Sequence, residues 1–125
     1  MTMDQLQPGQ TATTETVVTV NLTINRMGKA DTAVLSTPSL LSLMELCCIE
    51  ASDRYLCDNY TTVGYAVDQM RHTAPTPIGA KVTVKAELTK IEKNKLTYSI
   101  KAFEGEKEIG VAIHKRAVIS KNTDI

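Results

Sequence analysis

The chain has 125 residues, 42% hydrophobic and 22% charged, with six Gly and four Pro, a composition that points to one globular domain and excludes a low-complexity chain. Fourteen Lys/Arg balance fourteen Asp/Glu, and aromatic residues make up 4%, so a base-stacking platform for nucleic acid has almost nothing to build on. The charges are uneven, three basic against seven acidic residues up to Tyr60 and eleven against seven after it, which fits either an anionic ligand tail or strands alternating Lys with apolar residues.

The N-terminal MTMDQLQPGQ has neither a basic start nor an apolar signal core. No apolar run approaches the roughly 18 residues of a membrane span, so the expectation is a cytoplasmic protein with no membrane partner. Cys47 and Cys48 are adjacent and Cys57 stands alone, which is no disulfide framework, and they read as reduced core residues. Polar residues 1–14, with Pro8 and Gly9, are expected to form a flexible N-terminal arm. Residues 15–121 then form a single domain.

Within it, Val18, Val20, Leu22 and Ile24 alternate with polar residues, and residues 15–24 are predicted as the first strand. Residues 26–36, with Gly28 and Asp31, show no period and read as a loop able to act as a lid. Thr37 and Pro38 then open a helix, Thr as N-cap and Pro at the first helical position. Its apolar residues, from Leu40 to Leu56, fall on nearly every face, which predicts a helix enclosed by other elements.

The enclosure comes from residues 61–70, 80–91, 95–103 and 108–119, all read as strands. Val82, Val84, Ala86 and Leu88 alternate with Thr83, Lys85 and Glu87; Leu96, Tyr98, Ile100 and Ala102 do the same, giving one buried face and one wet one. Glu92-Lys93-Asn94-Lys95 and Glu104-Gly105-Glu106-Lys107 lie where tight hairpin turns are needed, so these strands run antiparallel. The fold class is α+β, an antiparallel sheet wrapped around one long helix.

Three segments carry a family resemblance: STPSLLSLMEL (36–46), GYAVDQMRHTAPTPIGAKVTVKAEL (64–88) and HKRAVI (114–119). Through them the chain resembles the hotdog-fold thioesterases, most closely the fluoroacetyl-CoA thioesterase-like group. The resemblance implies a hydrolase of acyl-CoA or a similar thioester, with no cofactor, working as a homodimer or higher oligomer. It also implies a catalytic group of Thr37, Glu45 and His72, with Gly64 and Arg116 at the substrate.

The residues supply their own reasons. Glu45 interrupts an apolar run; a lone buried carboxylate is costly, so it either meets a donor or is tuned as a general base, unless it faces solvent or caps backbone. N-cap duty alone would explain Thr37, and the eight residues from Thr37 to Glu45 rise about 12 Å, which makes a direct bond between them doubtful. Backbone N–H groups at the helix start are candidates to hold a thioester oxyanion. His72 ends a strand before the turn-rich TAPTPIG, where a surface or backbone-bonded histidine is the alternative to a catalytic one.

From Gly64 to His72 the interval is one residue longer than in the fluoroacetyl-specific enzymes, which a β-bulge near Asp68 and Gln69 would absorb. Their phenylalanine-bearing lid has no counterpart, since the only Phe is Phe103, so fluoroacetyl specificity is not expected. His114 and Arg116, two apart on a strand, share one face. Arg116 is read either as a ligand contact or as half of a surface ion pair with a neighbouring Glu. No metal-ligand spacing, phosphate loop or nucleophile elbow is present. The rival class is a noncatalytic acyl-CoA or small-lipid binding or sensing module, because a fold does not fix a function.

Overall fold

The computed structural model describes residues 5–122. In chain order the elements are β1 (Thr11–Val17), a 3-10 turn (Val20–Leu22), β2 (Thr23–Ile24), β3 (Val34–Leu35), α1 (Thr37–Ser52), a second 3-10 turn (Asp53–Tyr55), β4 (Tyr60–His72), β5 (Lys81–Glu92), β6 (Lys95–Glu104) and β7 (Lys107–Ser120). Five strands form one antiparallel sheet in the order β1-β5-β6-β7-β4, and β2 pairs with β3 in a separate small hairpin. This is the α+β arrangement of a sheet curved around one helix.

The four later strands lie within about two residues of their predicted ranges, and the alternating β5 and β6 turn their apolar faces to α1. Val82, Val84, Ala86 and Leu88 of β5 and Leu96, Tyr98, Ile100 and Ala102 of β6 are buried, and they meet Leu40, Met44, Cys47, Cys48 and Ala51 of the helix. Truncating a fully buried leucine such as Leu40 to alanine in such a core costs about 2–5 kcal/mol. Gly110 lets the sheet come close to the helix: a Cβ there would lie 2.8 Å from Leu40 Cδ2 and 3.1 Å from the Arg71 carbonyl oxygen.

The first strand differs from its prediction. It begins at Thr11, so residues 11–14 of the expected arm pair with β5, and Gly9 N–H donates to the Leu88 carbonyl at 2.7 Å. The strand ends at Val17. Beyond it Val18 is buried, but Val20 and Ile24 are 73% and 46% exposed. The alternation over residues 18–24 therefore belongs to a turn and a two-residue strand, whose β-branched residues mimic a sheet pattern.

The helix ends at Ser52, and Leu56 lies past the second turn. Its enclosure is one-sided. Leu41, Leu43 and Ile49 are half-buried and Leu46 is 55% exposed, because the sheet closes over one side of α1 and the other stays open. Two cysteines, Cys47 and Cys48, are in the core, whereas Cys57 is exposed; all three are free.

Candidate functional site

Ser36 caps the helix. It has extended backbone, and its hydroxyl accepts from Ser39 N–H at 3.2 Å. This corrects the expectation for Thr37, which occupies the first helical position with its side chain uncommitted to the backbone. Thr37 Oγ1 lies instead 2.7 Å from His72 Nδ1, at the last residue of β4. The helix start also offers less to an oxyanion than expected. Pro38 has no N–H, and those of Ser39 and Leu40 are taken by the Ser36 hydroxyl and carbonyl, leaving that of Thr37.

Thr37 and His72 border an open pocket of about 320 Å³ whose wall includes Ile24, Val34, Leu35, Ala74 and Pro75. The roof is the β2–β3 hairpin. It is fixed to the segment after His72 by the Leu35 N–H to Thr76 carbonyl bond at 2.8 Å and a bridge between Val34 and Pro77. The connecting loop is tied by Asn25, whose side chain accepts from Gly28 N–H and Thr32 Oγ1, each at 2.9 Å. Burial holds the His72 pKa below its ordinary value of 6.5. The ring is neutral at pH 7, so one nitrogen is free to accept a proton.

Glu45 lies elsewhere, two helical turns further along. Its side chain is 39% exposed on the open flank of α1, so it is not the buried carboxylate expected, and its Oε2 is 3.8 Å from His114 Nε2 and 4.0 Å from Arg116 Nη1. Arg116 is buried and is no surface ion pair. It donates from Nε to Thr62 Oγ1 and from Nη2 to the Thr62 carbonyl, both at 2.9 Å, and its Nη1 is 3.1 Å from His114 Nε2. His114 Nδ1 lies 2.8 Å from the Ala66 carbonyl. That oxygen only accepts, so Nδ1 carries the proton and Nε2 accepts from Arg116. Burial lowers the His114 pKa; the Ala66 carbonyl opposes this, Arg116 reinforces it and Glu45 opposes it.

Gly64 completes this second cluster. It pairs with Arg116 across the β4–β7 ladder, and a Cβ on it would lie 2.9 Å from His114 Cε1 and 3.1 Å from Arg116 Nη1. Two extra residues kink β4, one between Gly64 and Ala66 and one between Asp68 and Arg71, where Gln69 has φ 52°. The second is the bulge expected from the spacing of Gly64 and His72. The five residues singled out in the sequence thus form two groups within one chain, Thr37 with His72, and Glu45 with Gly64 and Arg116. Among the described residues no three His, Cys, Asp or Glu side chains gather as a metal site, and no helix is long and apolar enough to cross a membrane.

The model of the fluoroacetyl-CoA-specific thioesterase family, FlK, matches residues 18–122. The chain belongs to this family. A fluoroacetyl-CoA thioesterase from Streptantibioticus cattleyicolor is 41% identical over 86 residues, 69% of this chain and 61% of that relative. A solved structure of the fluoroacetyl-CoA thioesterase FlK aligns with a TM-score of 0.83 and 33% identity over 94% of this chain and 91% of that one. A hot-dog-like protein from Thermanaerovibrio acidaminovorans, 23% identical over 96% of this chain and 88% of its own, shares the fold with a TM-score of 0.84.

In this member of the fluoroacetyl-CoA-specific thioesterase family, the sequence also left parts of the site unread. His114 was visible only as a neighbour of Arg116 on the same strand face. Its bond to Ala66 depends on the bulged β4–β7 register. Thr62, 54 residues from Arg116 in sequence, gave no signal beyond being a threonine in a strand.

Proposed function

We propose that the protein is a cofactor-independent, cytoplasmic hydrolase of acyl-CoA thioesters with a small or medium acyl group, working as a homodimer. The observation that carries this reading is the 2.7 Å contact of Thr37 Oγ1 with a neutral His72 at the edge of a largely apolar pocket. His72 Nδ1 takes a proton from the Thr37 hydroxyl or from a water in its place. The oxygen attacks the thioester carbon, and collapse of the tetrahedral intermediate expels the CoA thiolate, which takes the proton from His72. Where Thr37 is the attacking group, a water deprotonated by His72 then cleaves the acyl-threonine to free acid and restores the hydroxyl. Glu45 and Arg116 supply charge, and Gly64 supplies room, at the acyl group.

The names of the relatives support the reaction class, fluoroacetyl-CoA hydrolysis being theirs. Residues 26–36 contain no aromatic side chain, which supports a substrate other than fluoroacetyl-CoA here.

A dimer accounts for the two groups. Strand β4 is a sheet edge, with Val63, Tyr65 and Val67 exposed along it and Leu46 exposed on the helix. Antiparallel pairing of two such edges about an axis near Asp68 sets Gly64 of one protomer opposite the partner's His72, because both lie four residues from Asp68 in the sequence. Each site then takes Thr37 and His72 from one protomer and Glu45, Gly64 and Arg116 from its partner.

The test is release of free CoA, followed by chromatography, from a panel of short, branched and aromatic acyl-CoA esters. Turnover abolished in Glu45→Gln and His72→Ala with folding intact is the expected result. Tight binding of the esters without turnover would identify a binding module instead. A monomer by light scattering would contradict the shared site.

A further inference from the structure

The geometry points to Thr62 as a positioning residue: through its hydroxyl and its carbonyl it sets the plane of the Arg116 guanidinium against Glu45. Its kinetic consequence rests on the thioesterase reading above.

A buried guanidinium must find acceptors for its donors, because an unpaired buried charge is costly. Arg116, 5% exposed, finds three, and two of them belong to Thr62, also 5% exposed. The two residues are diagonal neighbours on the inner face of the β4–β7 ladder, where Gly64 pairs with Arg116 and Thr62 with Val118. Nε meets the hydroxyl and Nη2 the carbonyl, so any rotation of the guanidinium plane weakens both bonds together. The third donor group, Nη1, is braced by His114 and faces Glu45 and the space that Gly64 leaves open.

The Thr62 hydroxyl is itself oriented. It donates to Asp53 Oδ1 at 2.7 Å, which leaves its lone pairs for Arg116. Asp53 caps the C-terminus of α1 through its N–H to the Ile49 carbonyl, and the same Oδ1 accepts from Ser52 Oγ at 3.1 Å, whose hydroxyl is 2.6 Å from that of Tyr98. A chain of hydrogen bonds therefore ties the end of the helix that carries Glu45 to the cation that faces Glu45. None of Ser52, Asp53 and Thr62 needs to touch substrate for this.

Thr62→Val keeps the shape and the carbonyl and removes the hydroxyl; Thr62→Ser keeps the hydroxyl and the carbonyl. The expected result is a loss of about 10- to 100-fold in kcat/KM for Thr62→Val, carried mainly by kcat, of the size that a misplaced catalytic group produces, and recovery in Thr62→Ser. A readout independent of activity is the Arg116 Nε–H proton resonance, slowly exchanging in the wild type and Thr62→Ser and lost to fast exchange in Thr62→Val. Thermal melts establish that each variant folds. If Thr62→Val does not, Asp53→Ala, which releases the hydroxyl, is expected to speed the same exchange, and an unchanged rate overturns the proposal. Unchanged kcat/KM and Nε–H exchange in Thr62→Val, or equal damage from Ser and Val, also overturns it. If the wild type hydrolyses no ester, the thioesterase reading falls alone, and the resonance decides the positioning role by the same criteria.

Discussion

Thr37 Oγ1 and His72 Nδ1 lie 2.7 Å apart across 35 residues of sequence. The contact exists because the neighbouring Ser36 takes the capping duty. A hydroxyl that would otherwise close the helix start is thereby free to face an imidazole. Helix stability and the candidate chemistry are carried by adjacent residues.

That division separates two substitutions. Ser36→Ala removes the cap and is expected to lower stability by about 1 kcal/mol. Thr37→Ala should destabilise less while reducing kcat by about 10²- to 10⁴-fold, the range for loss of a proton-transfer partner or nucleophile. Chemical denaturation and CoA release measured on both variants check this; a reversed ranking in either assay contradicts the assignment.

The histidines set the pH behaviour. His72 and His114 both have pKa values below 6.5 in the fold, burial being the main cause. For such a group the folded state binds fewer protons than the unfolded one. Its contribution to stability is full above the unfolded value and lost as pH falls through the folded one. Activity should be flat near neutrality and fall on the acid side with a midpoint below 6.5, as His72 takes up a proton and stops acting as a base. Comparing stability against pH for the wild type and His72→Gln isolates the His72 share, and a wild-type activity midpoint above 6.5 contradicts the account.

Gly64 is expected to tolerate no side chain. Its backbone is not in the left-handed region, so the cost of Gly64→Ala comes from the new methyl meeting His114 and Arg116 at 2.9 and 3.1 Å. Overpacking of this kind costs about 1–3 kcal/mol. Turnover should fall as well, since the methyl also displaces the groups facing Glu45. A thermal melt and the CoA assay on Gly64→Ala measure both, and wild-type values in both would show the space to be idle.

Much of the fold was legible where one face of an element is buried and the other wet. Residues 80–91 and 95–103 state their sheet in their alternation, and the matching strands, β5 and β6, sit in its middle. Strand β1 escapes the pattern because it is an edge strand built largely from Thr, with no apolar period, while the Val and Leu just after it imitate one. The helix reads as enclosed because composition reports apolar residues, not which faces of α1 the sheet covers. Adjacent hydroxyls at Ser36 and Thr37 compete for one cap, and their backbone angles, invisible in sequence, decide between them. The family resemblance points to Arg116, but its partners Thr62 and His114 depend on the bulged β4–β7 register, which only the folded chain supplies.

Complementation between two inactive variants tests whether a site is built from Thr37 and His72 of one protomer and Glu45 of the other. His72→Ala and Glu45→Gln proteins, each inactive alone, are mixed under exchanging conditions, with mixed dimers counted by native mass spectrometry and CoA release then measured. Random exchange of two-fold dimers leaves one intact site in each mixed dimer, so about a quarter of wild-type activity should return. Mixed dimers that form and stay inactive would contradict the shared site, and either variant keeping wild-type turnover alone would contradict the catalytic assignment.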